Sequence, residues 1–301
     1  MATFTTQQLE LPDEILQPWL GKVKYGSVIA ALSNSMPMLF GKGHSMTFDI
    51  GEAEYVGEGV NKSGSTITPK IVRTAPFKFQ KTVRWTDEVQ WADEDTKVDV
   101  IRQVLDLIQP ALSRALDYGI IHGINPSTGA TVSAMTQKLT AATNIVVKAG
   151  TDKPYVPMDA ADALVLASRF VPSEFALDPS LAAQFAAQRA IQTEQRLYPD
   201  FQLSTTVSNL DGHRASVSNT VGATGVAAAD SLLLGIIGQF NAVQWGIQRA
   251  IGISMIPYGD PDGGGDLKRN NQVAFRAEVV YGWGIADLDA FALIKSPTPV
   301  G

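Results

Sequence analysis

The chain has 301 residues, with 45 % hydrophobic and 18 % charged residues and a formal net charge of -6. That composition is globular, with enough apolar surface to offset ordering entropy and fewer charges than usual. With 24 basic against 30 acidic residues it is unlike a dedicated nucleic-acid binder. The absence of cysteine excludes disulfides, thiolate zinc sites, iron–sulfur clusters and a cysteine nucleophile. No run of 18 apolar residues marks a membrane helix. The first residues lack a secretory signal, so the expectation is a protein made and used in a cytosol.

Residues 1–18, with Pro12 and Pro18, show no period and read as an extended arm, mobile or laid on a partner. After a short mixed stretch from Lys22 to Leu32, Met46–Ile50 alternates as a strand. Glu52–Gly59 leads into a polar tip, Val60–Thr66. Beyond it Phe77, Phe79, Val83 and Trp85 alternate with polar residues, with Lys81 interrupting their face. Two strands around a Gly/Ser-rich tip predict a long hairpin. Between Gly59 and Thr86 it carries six basic residues, Lys62, Lys70, Arg73, Lys78, Lys81 and Arg84, and no acidic one.

Acidic residues return at Asp87, Glu88, Asp93, Glu94 and Asp95, ahead of a helical pattern through Val98, Ile101, Leu105, Ile108, Leu112 and Leu116. A helix over about 97–121 would span roughly 37 Å, with a kink or restart at Pro110. Residues 124–155 read as a connector with a short helical stretch at Ala130–Leu139. A second unit follows over 156–255. Ala160–Ala167 is helical in composition, although Leu164-Val165-Leu166 also fits a strand. Pro179–Glu194 reads as a helix capped by Asp178, and Leu232–Ile237 and Ala242–Ile256 read as strands. A loop over Asp260–Asp266 then separates them from strands at Gln272–Tyr281 and Asp287–Lys295.

Catalytic and cofactor patterns are missing. Gly41-Lys42-Gly43 and Gly57-Glu58-Gly59 lack the third glycine of a dinucleotide fingerprint. Gly59 to Thr66 superficially has a phosphate-loop spacing, but Ser65 stands where the lysine belongs. Asp260, Asp262 and Asp266 read as a surface turn, because calcium-loop spacing and its terminal Glu are absent. His44, His122 and His213 read as surface or capping groups. No acid–base constellation, metal site or cofactor site is expected.

Several stretches resemble the major capsid proteins of tailed bacteriophages with the HK97-type fold. Ala53–Gly59 is similar to that family's A-x-W/Y-V-x-E-G at the start of its extended loop, and Ala111–Gly123 with Asn125-Pro126 to the end of its spine helix. Leu233–Ser254 resembles the G-D-F…G-I-R-x-x-I-x-I strand pair, with Gln239 where Asp is common. Phe275–Trp283 and Asp287–Phe291 resemble the closing F-R-x-E-x-R-Y-G…D-x-x-A-F segment, with Val280 in place of an arginine.

The resemblance implies an α+β capsid fold with four parts. They are an N-terminal arm (1–45), an extended β-hairpin loop (46–85), a peripheral domain with a long spine helix (86–155 and 271–301) and an axial domain (156–270). It implies a non-enzymatic virion protein, assembled in the host bacterial cytoplasm, whose copies form hexamers and pentamers around double-stranded DNA. A scaffold, a portal and a decoration protein are the further partners it implies. The long scaffolding region that many relatives carry does not precede the arm, which implies a separate scaffold protein or a processed end. Some relatives bond a loop lysine to a neighbour's asparagine; Lys62, Lys70, Lys78 and Lys81 are the positions where such a bond would start. The expected contact pairs the hairpin cations with Asp87, Glu88, Asp93, Glu94 and Asp95 of the adjacent spine-helix start, while a neighbour covers the Phe77/Phe79/Val83/Trp85 face. The alternatives are an encapsulin-like compartment, an α/β enzyme with its site in 156–255, and a nucleic-acid-binding hairpin over 59–86.

Overall fold

A computed structural model describes residues 26–50, 52–64, 67–89, 91, 107–230 and 232–297. The expected arm at 1–18, the first half of the expected spine helix, and Asp93, Glu94 and Asp95 lie outside the described residues.

The architecture is mixed α+β, built on two sheets. The first has four strands: β1 (Gly43–Ile50), β2 (Ile67–Thr86), β9 (Gln272–Ile285) and β8 (Val243–Ile256), in that order. Strand β2 organises it. Its 20 residues would extend about 66 Å. Ile67–Thr74 pair with β1, and Ala75–Thr86 pair with β9. Each half has a single paired neighbour, which is why Pro69 and Pro76, lacking N–H donors, are tolerated inside so long a strand.

The second sheet has six strands in the order β3 (Asn144–Val147), β10 (Phe291–Lys295), β7 (Leu233–Gly238), β4 (Glu174–Leu177), β6 (His213–Val217), β5 (Ser208–Leu210). The β5–β6 hairpin turns at Asp211 and Gly212, both at positive φ. The expected division placed 243–256 with the axial part and 144–147 and 291–295 with the peripheral part. In space β8 pairs with β9, while β3 and β10 join β7.

Helix α1 (Val28–Leu32) is short. Helix α2 (Ile108–Asp117) holds Pro110 in its first turn, where backbone N–H groups have no intrahelical acceptor to lose. It runs into a π-turn, Tyr118–His122, which stops at Gly123 in the left-handed conformation. Gly119 lets this turn lie on the sheet, since a Cβ there would sit 2.6 Å from the Trp283 ring.

Helix α3 (Tyr155–Ala167) settles the ambiguity at Leu164–Leu166 in favour of helix. Met158, Ala161 and Val165 are buried at helical spacing. Helix α4 (Pro179–Ala186) takes the Asp178 cap but ends eight residues before the expected Glu194. The rest has no apolar face to bury, Ile191 being 93 % exposed, and it folds into a bridge between Arg189 and Arg196 instead. The helix expected at Ala130–Leu139 does not form; only a 3-10 turn at Leu139–Ala141 appears.

Two apolar clusters hold the molecule. One joins α1, α2, the π-turn, Phe79 and the β9 aromatics Tyr281 and Trp283. The other lies under α3 and α4 against the six-stranded sheet.

Candidate assembly surface

The hairpin divides into an anchored half and a projecting half. In the anchored half, Phe77 and Trp283 lie 4.1 Å apart between ring centroids, and Phe79 packs against Tyr281 and Trp283. Trp85 stacks on Phe275 at 4.8 Å. The Tyr281 hydroxyl donates to Leu112 O, tying this face to α2; burial pushes that hydroxyl up to about 12. Of the Phe77/Phe79/Val83/Trp85 face, expected to need an adjacent copy, Phe79 is buried within its own chain, while Phe77, Val83 and Trp85 stay half-buried. The partners of this face come from β9, some 200 residues away, a proximity that only the β2–β9 register creates.

The six hairpin cations also divide. Lys70 Nζ lies 2.6 Å from Asp287 Oδ2, and Lys78 Nζ lies 2.6 Å from Glu278 Oε2. Arg84 fastens the β8–β9 loop: it donates to Gly265 O and Gln272 Oε1 and pairs with Asp260 and Asp262. Arg276 donates to Pro261 O from the other side. The Asp260–Asp266 loop is thus a surface turn held by arginines. Lys62, Arg73 and Lys81 are exposed, with no ion pair among the described residues. Asp87 and Glu88 follow directly on β2, half-buried at the start of a helical segment.

The projecting half carries exposed apolar groups. Met46, Ile67 and Ile71 are exposed on the strands, and Tyr55 is 93 % exposed at the tip. At its root, Ser35–Gly41 form a strap along the edge of β8. Ser35 bridges Trp245, Met36 N donates to Trp245 O at 2.8 Å, and Gly41 and Gln248 exchange two hydrogen bonds. Gly246 permits this approach, because a Cβ there would lie 2.0 Å from Met36 O.

Two histidines, expected to be surface or capping groups, are buried. His122 Nε2 lies 3.0 Å from Thr220 O, and Asp230 N donates to Nδ1. That pattern fits the neutral ring, and burial lowers its pKa. His213 lies 3.0 Å from Asp162; that hydrogen bond raises its pKa against the opposing effect of burial. His44 is exposed, as expected. Sequence reasoning missed Asp117, which is fully buried. It accepts from Ser27 Oγ, Val28 N, Ile29 N and Thr220 Oγ1, joining α1, α2 and the segment after β6. Burial raises its carboxyl to about 6, against the lowering effect of those hydrogen bonds. The legible signal was an acid between Leu116 and Ile120 on the apolar side of the pattern.

Among the described residues no group of three or more His, Asp or Glu could hold a metal ion, and no helix is long and apolar enough to cross a membrane. A concavity of about 1400 Å³ lies along β2 between Phe77, Phe79, Trp85 and Leu112; it is an open groove whose lining ion pair, Arg84 with Asp262, ties down the β8–β9 loop.

Residues 71–296 match the family model described as phage capsid protein. A solved structure from Mycobacterium phage Ogopogo is similar at 38 % identity and TM-score 0.82, over 98 % of this chain and 100 % of that one. One from Gordonia phage Cozz is 30 % identical with TM-score 0.78, over 97 % and 92 %. The capsid of an empty GTA particle computed with C5 symmetry shares the fold at TM-score 0.61 and 14 % identity, over 99 % and 100 %. Among curated proteins nothing matches.

Proposed function

Because the chain belongs to the phage capsid protein family, and so is a structural component of the virion shell and not an enzyme, we propose that its copies close that shell as hexamers and pentamers around double-stranded DNA. The observation that carries this reading is the hairpin: its anchored half packs into the subunit's own core, and its projecting half carries exposed apolar groups. An isolated two-stranded hairpin is marginal in water, and an adjacent copy supplies the missing surface.

In this reading the four-stranded sheet with α2 is the peripheral domain and the six-stranded sheet with α3 and α4 is the axial domain. Strand β8 then belongs to the former, β3 and β10 to the latter. The arm is residues 1 to about 42, and the extended loop runs from Gly43 to Thr74. The inter-subunit cations in this reading are Lys62, Arg73 and Lys81, which form no ion pair among the described residues; Lys70, Lys78 and Arg84 act first as internal ties. Asp87, Glu88, Asp93, Glu94 and Asp95 are the acids proposed to meet them. Each exposed pair is worth under about 1 kcal/mol and serves register more than affinity. Repetition around a closed ring multiplies such weak contacts. An acidic chain also leaves packaged DNA free of the counterion-release trap that a basic wall would create.

Electron microscopy of the purified chain tests this. Closed shells with fivefold and sixfold capsomers are expected. Lys81→Glu is expected to leave the subunit folded and to lower shell yield. Strictly monomeric material at every concentration overturns the reading.

A further inference from the structure

The exposed apolar groups at the two ends of the hairpin carry opposite charge around them. At the root, the strap presents Leu39, 94 % exposed, and Phe40, 68 % exposed, with Met36 beside them on the edge of β8. Exposed basic groups adjoin this patch in chain order and register. Lys42 follows the strap, Arg73 lies on β2 at the hairpin's base, and Arg249 lies on β8 just beyond the strap. None of the three has an ion pair among the described residues. At the tip, Tyr55, 93 % exposed, and Val60, 63 % exposed, stand among the exposed carboxylates of Glu52, Glu54 and Glu58.

Tip and root do not cover each other within the chain, since Tyr55 at 93 % and Leu39 at 94 % are both almost fully exposed. From Gly43 opposite Thr74 to Ile50 opposite Ile67 the two strands stay in unbroken antiparallel register. At about 3.3 Å per residue, eight residues give this stem a length on the order of 26 Å. The tip's complement is therefore presented by another molecule.

We propose that the acidic, aromatic hairpin tip of one copy docks on the basic-rimmed strap at the hairpin root of the next copy, with Tyr55 covering Leu39 and Phe40. This rests on the shell reading above and specifies one of its contacts. The contact is heterologous, tip to root, so it repeats in one direction around a ring and closes where the rotation allows. Apolar burial supplies the attraction, and the Glu–Lys/Arg rim sets orientation and disfavours tip-to-tip and root-to-root encounters.

The absence of cysteine makes the test direct. Tyr55→Cys and Leu39→Cys are combined in one chain, assembled, and treated with a short bis-maleimide cross-linker. A denaturing gel is expected to show a ladder of linked subunits, while each single variant runs as monomer. Independently, Glu54→Lys with Glu58→Lys is expected to cut shell yield about tenfold, and adding Lys42→Glu with Arg73→Glu to restore it, a rescue that misfolding does not produce. Normal shells from the double-cysteine chain that yield only monomer bands, or charge reversals without rescue, overturn this contact and leave the shell reading standing. Failure of the unaltered chain to form shells overturns both.

Discussion

Asp117 offers a sharp test of how the subunit is held together. Its carboxyl is fully buried and receives four hydrogen bonds, two of them from the first backbone amides of α1. Burial outweighs those bonds and raises it from 3.8 to about 6. A carboxyl that is raised in the fold favours folding when protonated. Its contribution is fully present below 3.8 and is lost as pH rises through about 6. At about 1.4 kcal/mol per pH unit, the full loss is about 3 kcal/mol, most of it between pH 4 and 7. Asp117→Asn keeps the shape and removes the ionisation, but leaves the Val28 and Ile29 amides short of an acceptor. That costs about 1–3 kcal/mol at pH 4, where the native carboxyl is neutral and well bonded. Near pH 7 the native residue bears the cost of a buried charge, and the variant's deficit should shrink by about 2 kcal/mol or more. Urea unfolding of unassembled subunits, native and variant, at several pH values measures this gap. Other groups titrate alike in both chains and cancel. A gap that stays constant from pH 4 to 7 refutes the reasoning.

Two further substitutions probe the hairpin's attachments. Phe79→Ala opens a cavity against Tyr281 and Trp283 and should cost about 3–5 kcal/mol in urea unfolding; a loss under about 1 kcal/mol would mean this face is not part of the subunit core. Gly246→Ala places a Cβ where Met36 O now sits, so the strap must leave β8; hydrogen exchange at the Met36 amide should accelerate at least tenfold, and unchanged protection would show that the strap does not depend on this close approach.

The legible parts of this fold were those written in local pattern. The alternation at Phe77–Trp85 and at Gln272–Tyr281 marks β2 and β9, the Asp178 cap marks the start of α4, and Gly119–Gly123 marks the end of the helical spine. Where two elements compete for one stretch, packing decides. Leu164–Leu166 is helix because Val165 follows Met158 and Ala161 on one face, and residues 187–194 leave the helix because nothing lies beneath them. The extent of β2 was not legible: Ile67–Pro76 lacks alternation, since its strand form comes from one-sided pairing with β1 more than from a buried face. Sheet membership was not legible either. Strand β8 is assigned by its Trp245–Trp283 register with β9, which no local pattern encodes. The candidate site was half legible. The basic run identified the hairpin, but the acids that neutralise Lys70, Lys78 and Arg84 lie about 180–220 residues away, and only the fold shows that these cations are already engaged.

That split has a physical consequence for assembly. A subunit whose loop depended wholly on a neighbour would have no stable folded monomer, and its stability would follow protomer concentration. Here the aromatic half of the hairpin packs on β9 and α2 inside one chain, and Arg84 fixes its far end to the β8–β9 loop. Folding can therefore finish before assembly begins. What stays exposed among the described residues is of a kind that costs little when solvated: single apolar side chains, and cations such as Lys62, Arg73 and Lys81 that form no ion pair among those residues. Weak, separable contacts of this kind let a misplaced subunit dissociate before a ring closes around it, whereas a strong apolar face would trap the first encounter. The same low strength per contact becomes durable only through closure, when each copy is held by several neighbours at once.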